Sequence, residues 1–259
     1  MNRNDFNDCV QLRFFPREKC VFINELTGND EQSIRGTRSL DAIKLVNRLL
    51  TDSINSAEII GNASKLTIFD RDRILVAVYL NTYGTKIGTT LTCTSCKKAF
   101  DIDFSLDEIN DKLNSKQKIE HLEKCSDSVF NLENGAKFRL PTGEDELAVL
   151  VNSASEIEKE LLKRCLVESN RKDDLDCVED ILQNLAPLIN FNFDVCCPEC
   201  SAAQNLRFDI QTYLLSSLLQ EQKQLAYEVH KLAYAYKWGL NEILELPRSI
   251  RRAYVSFMD

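Results

Sequence analysis

Alternation of apolar and polar positions marks four segments of the chain, residues 86–92, 100–104, 191–195 and 206–210. Each reads as a strand with one buried face. A shorter alternation at 10–14 and 20–24, broken at Pro16 and Gly28, predicts a β-hairpin within residues 1–35. Helical spacing follows, with Leu40, Ile43, Val46 and Leu50 on one face. Thr67-x-x-Asp70 is a capping-box-like start for a helix through Ile74, Leu75, Val78 and Tyr79, and Gly84 is placed to end it. Ser105-x-x-Glu108 predicts another helix start. Asn134-Gly135, between apolar runs at 128–132 and 136–140, predicts a second hairpin. Helices are expected near 143–152, 155–167 and 174–186. A long helix from about 210 to 236 and two short ones divided at Pro247 complete the pattern.

The cysteines sharpen this picture. There are ten, and two pairs, Cys93-Thr-Ser-Cys96 and Cys197-Pro-Glu-Cys200, fall between predicted strands. A Cys-x-x-Cys turn can place both thiolates on one cation, and two such turns complete a tetrahedral four-thiolate zinc site. Each half then reads strand, knuckle, strand, helix, and the knuckle is the one internal repeat noticed at this level. Cys93, Cys96, Cys197 and Cys200 are therefore the expected ligands of a structural Zn2+. The pairs stand 100 residues apart, against about 15–20 in a compact ribbon. Closing a flexible loop of that length costs roughly 4 kcal/mol plus a constant, while a structural zinc site contributes on the order of 10–16 kcal/mol. Two half-sites completed elsewhere, or a site without metal, are the alternatives. A redox role fits less well, because reactive Cys-x-x-Cys pairs sit at strand-to-helix junctions. Cys196 reads as a buried apolar neighbour or as a fifth thiol at the site, and Cys9, Cys20, Cys165 and Cys177 as core residues.

The expected fold is α+β, mostly helical, with a split two-hairpin zinc ribbon and an N-terminal β-hairpin. The expected organisation is a β segment over 1–35, helices and the first ribbon half over 36–104, an acidic helical insert with a hairpin near 128–140 over 105–190, and the second ribbon half with the final helices over 191–259.

Charge adds a constraint. The 259 residues carry 32 basic and 40 acidic side chains, a net charge of −8, which argues against general nucleic-acid binding. Residues 142–184 hold twelve acids and five bases, whereas 231–259 hold three acids and five bases; this polarity suits protein partners or two solvated faces. The longest apolar run, residues 74–80, is far short of the roughly 18–20 needed to span a bilayer, and no signal-peptide pattern opens the sequence. A cytosolic, acidic, folded protein is expected. With two histidines and no phosphate loop, His-Glu-x-x-His or Gly-x-Ser-x-Gly, no enzyme is expected. His121 and Cys125, four apart, read as a helical metal pair or as a solvated helix; His230 reads as packed or locally capped.

Several motifs resemble one family. They are Phe14-Phe15-Pro16, Leu26-Thr27-Gly28-x-x-Glu31, Phe69-Asp70-Arg71-Asp72-Arg73, Tyr83-Gly84 and Leu140-Pro141-Thr142-Gly143. The two knuckles, Glu228-Val229-His230-x-Leu232-Ala233, Trp238, Glu242-Ile243-Leu244-x-Leu246-Pro247 and Arg251-Arg252-x-Tyr254 complete the set. In order and spacing the chain resembles baseplate proteins of T-even-type contractile-tailed phages and related bacterial contractile injection systems. One departure is local: Lys97 and Ser201 stand where a zinc knuckle usually has glycine. The resemblance implies a structural or assembly part of a baseplate or hub, made in the cytoplasm of the producing bacterium and either kept in the assembled particle or released as an assembly chaperone. The implied partners are other baseplate, hub or spike proteins, with no small-molecule substrate, membrane or nucleic acid. Trp238, Arg248, Arg251, Arg252 and Tyr254 are the candidate contact surface, since Trp, Tyr and Arg dominate hot spots; the bland reading has Trp238 and Tyr254 packing the last helices together. A zinc-ribbon nucleic-acid module is the rival reading.

Overall fold

The computed structural model describes residues 9–14, 20–50, 61–106, 124–126, 129–132, 134–150, 154–169, 171, 173–185 and 190–258. They form two compact units, and each is assembled from separated stretches of chain. Unit 1 takes the stretch up to Thr82, then Thr142–Val151, then Gln211 onward; unit 2 takes Tyr83–Pro141 and Asn152–Ile210.

Unit 1 opens with β1 (Val10–Gln11) paired antiparallel to β2 (Cys20–Val21). The expected hairpin is present but only two residue pairs long. Cys9 and Cys20 are joined across it as a disulfide and neither is buried, so the reading of both as core residues is corrected. Gly28 does not break a strand; it is the first residue of helix α1 (Gly28–Ser33). Helix α2 (Ser39–Leu49) buries Ala42, Ile43, Leu45, Val46 and Leu49. The apolar stripe is thus rotated from the expected one, and Leu40 is exposed. After a 3-10 turn at Ala63–Lys65, helix α3 (Ile68–Tyr83) starts on Thr67 and Asp70 as expected and is followed by Gly84 at φ 82°. Helix α4 (Gly143–Val149) also belongs to unit 1.

In unit 2, β3 (Lys86–Thr92) pairs antiparallel with β4 (Ala99–Ser105). Strands β5 (Lys124–Ser126), β6 (Val129–Asn131), β7 (Lys137–Arg139) and β8 (Leu166–Glu168) form a four-stranded antiparallel sheet in that order. Gly135, at φ 82°, lies in the β6–β7 turn as its sequence signal required. Cys125 lies on β5, not on a helix shared with His121, and His121 falls outside the described residues, as does most of the helix expected after Ser105. Helices α5 (Ala154–Cys165) and α6 (Asp174–Leu185) match the expected pair. Cys165 is buried as predicted, whereas Cys177 is exposed. Strands β9 (Asn190–Cys196) and β10 (Ala203–Asp209) form a hairpin that repeats β3–β4.

The single long helix expected over 210–236 is two, α7 (Ile210–Gln220) and α8 (Gln222–Tyr236), interrupted at Glu221. No glycine or proline announces that break. Helices α9 (Leu240–Leu244) and α10 (Arg248–Ser256) follow, divided at Pro247 as expected. Both belong to unit 1.

Unit 1 also contains a repeat that the sequence reading missed. Thr27-Gly28-Asn29-Asp30-Glu31 and Thr142-Gly143-Glu144-Asp145-Glu146 each begin a helix with a reciprocal capping box between the Thr and the Asp. Each Thr forms a β-bridge to the residue preceding another helix, Thr27 to Pro247 and Thr142 to Thr67. The fourth residue of that second helix is an arginine, which binds the glutamate at the fourth position of the first. Arg251 donates to Glu31 at 2.8 and 2.9 Å, and Arg71 donates to Glu146. Glycine is required in both clasps. A Cβ on Gly28 would lie 3.1 Å from the Leu244 backbone, and one on Gly143 would lie 3.0 Å from the Ser64 carbonyl oxygen.

Candidate metal centre

The two Cys-x-x-Cys segments lie between the strands of their hairpins, and the hairpins correspond residue for residue with a constant shift of 104 positions. Lys86 pairs with Ser105 and Asn190 with Asp209; Thr92 pairs with Ala99 and Cys196 with Ala203. The turns are held by equivalent bonds. Cys93 N–H donates to the Lys98 carbonyl at 2.9 Å and Cys197 N–H to the Ala202 carbonyl at 3.0 Å. Lys97 N–H returns to the Cys93 carbonyl at 3.0 Å and Ser201 N–H to the Cys197 carbonyl at 2.9 Å.

That last bond forces the residue after each knuckle into the left-handed region. Lys97 has φ 63° and Ser201 φ 57°, the conformation in which glycine is at ease and other residues are strained. The departure noted in the sequence therefore did not change the turn: the backbone keeps a glycine-like geometry on non-glycine residues.

The turns bring Cys93, Cys96, Cys197 and Cys200 together, with all four sulfurs within 4.8 Å of one another. The Sγ–Sγ distance is 3.6 Å for Cys93 and Cys200 and 3.8 Å for Cys96 and Cys197. Four thiolates at about 2.3 Å from a tetrahedral ion stand about 3.8 Å apart, so the donor set fits one such ion without rearrangement. Cys93 and Cys197 are buried with Phe100 in one apolar cluster that Leu91, Ile102, Val195 and Ala202 border. Cys196 is exposed, which corrects its reading as a buried neighbour.

The electrostatics suit a cation. The Cys96 N–H donates to Cys93 Sγ at 3.4 Å. That backbone bond, with further help from Ser95 and the neighbouring thiols, pulls the Cys93 thiol down to about 6 against the opposing effect of burial. Cys96 is pushed up to about 11: the Lys98 amide favours its thiolate, but burial and the bonds to Cys93, Cys200 and Cys197 outweigh it. Packed sulfurs cannot all carry charge without a positive partner. Lys98 bridges the two knuckles to Glu199 at 2.6 Å, and Lys97 Nζ donates to the Thr94 carbonyl.

The other candidate residues lie in unit 1. Arg248 and Arg251 are 4% and 0% exposed, so their expected place on a contact surface is corrected. Arg248 donates to Glu31 at 2.8 Å and to Glu221, and Arg251 donates to Glu31 and to Glu228 at 2.7 Å. The physical reason is the carboxylates. Glu31 and Glu228 are themselves buried, and a buried charge requires a buried partner. Arg252 remains at the surface and reaches Glu228 and Glu221. Trp238 stacks on Tyr236 at 4.9 Å and meets Tyr254 edge-on at 5.1 Å. Trp238 and Tyr254 are partly buried against Leu232, Ile243 and Val255. His230 is exposed, and its ring stacks on that of Tyr234 at 6.5 Å. Among the described residues, no helix is long and apolar enough to cross a membrane.

Unit 2 thus holds a metal-capable staple of four thiols on two like hairpins, and unit 1 is knit by buried ion pairs. The chain belongs to the family described as "T4 bacteriophage base plate protein", whose sequence profile matches residues 18–215, about three quarters of its length. No curated protein and no solved structure matches it. Membership carries a structural role in the phage baseplate.

Proposed function

We propose that this chain is a structural or assembly component of the baseplate or hub of a contractile tail or injection system, acting through protein–protein contacts, with Zn2+ bound by Cys93, Cys96, Cys197 and Cys200. The family match over residues 18–215 carries the first half of this reading. The four-sulfur geometry supports the second. Zinc supplies cross-linking here, not reactivity: four thiolates leave no coordination position for water or substrate. Trp238, Arg252 and Tyr254 are proposed as contacts to neighbouring baseplate, hub or spike proteins, because they combine surface access with anchor-type side chains. The role proposed is non-enzymatic.

The test is zinc content of the purified chain, measured beside the double variant Cys93→Ser/Cys197→Ser. About one zinc per chain is expected, absent from the variant, together with a lower melting temperature. A stable, zinc-free wild type would overturn the metal assignment. Pulldown from infected or producing cells tests the assembly role, with baseplate proteins as the expected catch.

A further inference from the structure

Helix α8 presents an unusual face for a chain of net charge −8. Its inner side is fixed: Leu225, Glu228 and Leu232 are buried, and Gln222 donates to the carbonyls of Glu31 and Ile34. The outer side carries Lys223, Tyr227, His230, Lys231 and Tyr234, at the three- and four-residue spacing of a single stripe, and the exposed Lys237 follows as the C-terminal cap. Tyr227 is 50% and Tyr234 75% exposed. Lys231 lies over the Tyr227 ring at 5.1 Å and Lys237 over the Tyr234 ring at 4.9 Å. The one acid of the helix, Glu228, is buried against Arg251, so the stripe itself carries no negative charge.

The same chain carries the complement. Helix α6 has no basic residue. Its inner side is set by Asp174 and Val178, both buried, and Asp174 accepts from the Arg171 N–H at 2.8 Å. Asp173, Asp176 and Asp180 lie on the exposed side.

We propose that the outer stripe of α8 docks the acidic stripe of α6 from a second copy of this chain. The inference rests on the reading of this protein as one that works through protein contacts. Charge complementarity selects the occupant, and the exposed tyrosines provide anchors that charge alone does not. The contact is heterologous: each copy offers one stripe and receives the other, so it joins more than two copies unless it closes into a ring.

Sedimentation velocity over a wide concentration range, at low and at high salt, tests this. Association is expected at low salt and should weaken as salt screens exposed charges. Lys223→Glu/Lys237→Glu should raise the dissociation constant by about tenfold, as should Asp173→Lys/Asp176→Lys, and an equimolar mixture of the two variants should recover most of the loss. Tyr227→Ala/Tyr234→Ala should weaken association without altering its salt dependence. All six positions are exposed, so unchanged melting temperatures confirm that folding is not the cause. A monomer at every concentration would overturn the proposal, as would association indifferent to these substitutions or a mixture no better than either variant alone. Random DNA that binds and competes for the same lysines would reassign the stripe to nucleic acid. None of these failures would remove the baseplate role, which is read separately from co-purification with other tail proteins.

Discussion

At Lys97 and Ser201 two side chains occupy a backbone conformation that costs a non-glycine residue roughly 1–2 kcal/mol. Glycine would remove that strain but gives back about 0.5–1 kcal/mol in unfolded-state entropy. Lys97→Gly and Ser201→Gly are therefore expected to raise stability slightly, by about 0.5 kcal/mol each, read as a higher melting temperature of the metal-loaded chain. The sulfurs give a second residue-scale prediction. Metal binding requires thiolates, so protons compete with the ion. The Cys93 thiol, held down to about 6, ionises before that of Cys96. A group with a lowered value keeps its stabilising charge at higher pH and loses it as pH falls through that value. Metal retention should accordingly hold at pH 8 and be lost progressively on acidification, as a colorimetric chelator titrated against pH would show. The four clustered cysteines were legible because each Cys-x-x-Cys pair is written in local spacing. The burial of Arg248 and Arg251 was not. A guanidinium reads as surface until one knows that Glu31, some 217 to 220 positions away, is buried beside it.

Among the elements, the two Thr-Gly-x-Asp-Glu clasps show where local signals suffice and where they stop. The capping boxes are written in four consecutive residues, and a search for repeats would have found both copies. Their partners, Thr67 and Pro247, share no residue type; only the arginine four positions later links them. That pairing is fixed by tertiary contact and leaves no sequence signature of its own. Gly28→Ala and Gly143→Ala push a methyl group toward backbone atoms at 3.1 and 3.0 Å, and each is expected to destabilise by about 1–3 kcal/mol. Arg251→Ala strands Glu31 and Glu228 without their shared partner and is expected to cost about 3–5 kcal/mol. Arg252→Ala, at the surface, should cost less than about 1 kcal/mol. Chemical denaturation of the three kinds of variant would order them. The break between α7 and α8 follows the same logic: Glu221 interrupts the helix and its carboxylate meets Arg248 and Arg252, an arrangement that helical periodicity alone could not reveal.

For the whole molecule, the fold class was readable from patterning, and the division into units was less so. Both units are built from stretches far apart in sequence, and hydrophobic period says nothing about which distant stretches share a core. Charge asymmetry, by contrast, was visible from counting, and it survives as an acidic stripe on α6 and a basic one on α8. Each hairpin contributes half of the sulfur cluster, so loss of metal should loosen both hairpins together. Hydrogen exchange with and without a strong chelator is expected to show faster exchange in β3, β4, β9 and β10 and little change in α2 or α3.

The discontinuity of the units also sets a timetable. At roughly 5–20 residues per second of synthesis, Cys93 and Cys96 wait on the order of 5–20 s before Cys197 and Cys200 are made. Glu31 waits longer still, until Arg248 and Arg251 emerge. The sulfur cluster can close once Cys200 has emerged, but the buried charge network must wait for Arg248 and Arg251. A ribosome that stalls before residue 251 releases a product with a carboxylate seeking burial and no guanidinium to meet it. Closure of unit 1 is thereby tied to the emergence of Arg248 and Arg251, and a segment made late decides whether one made early can be buried.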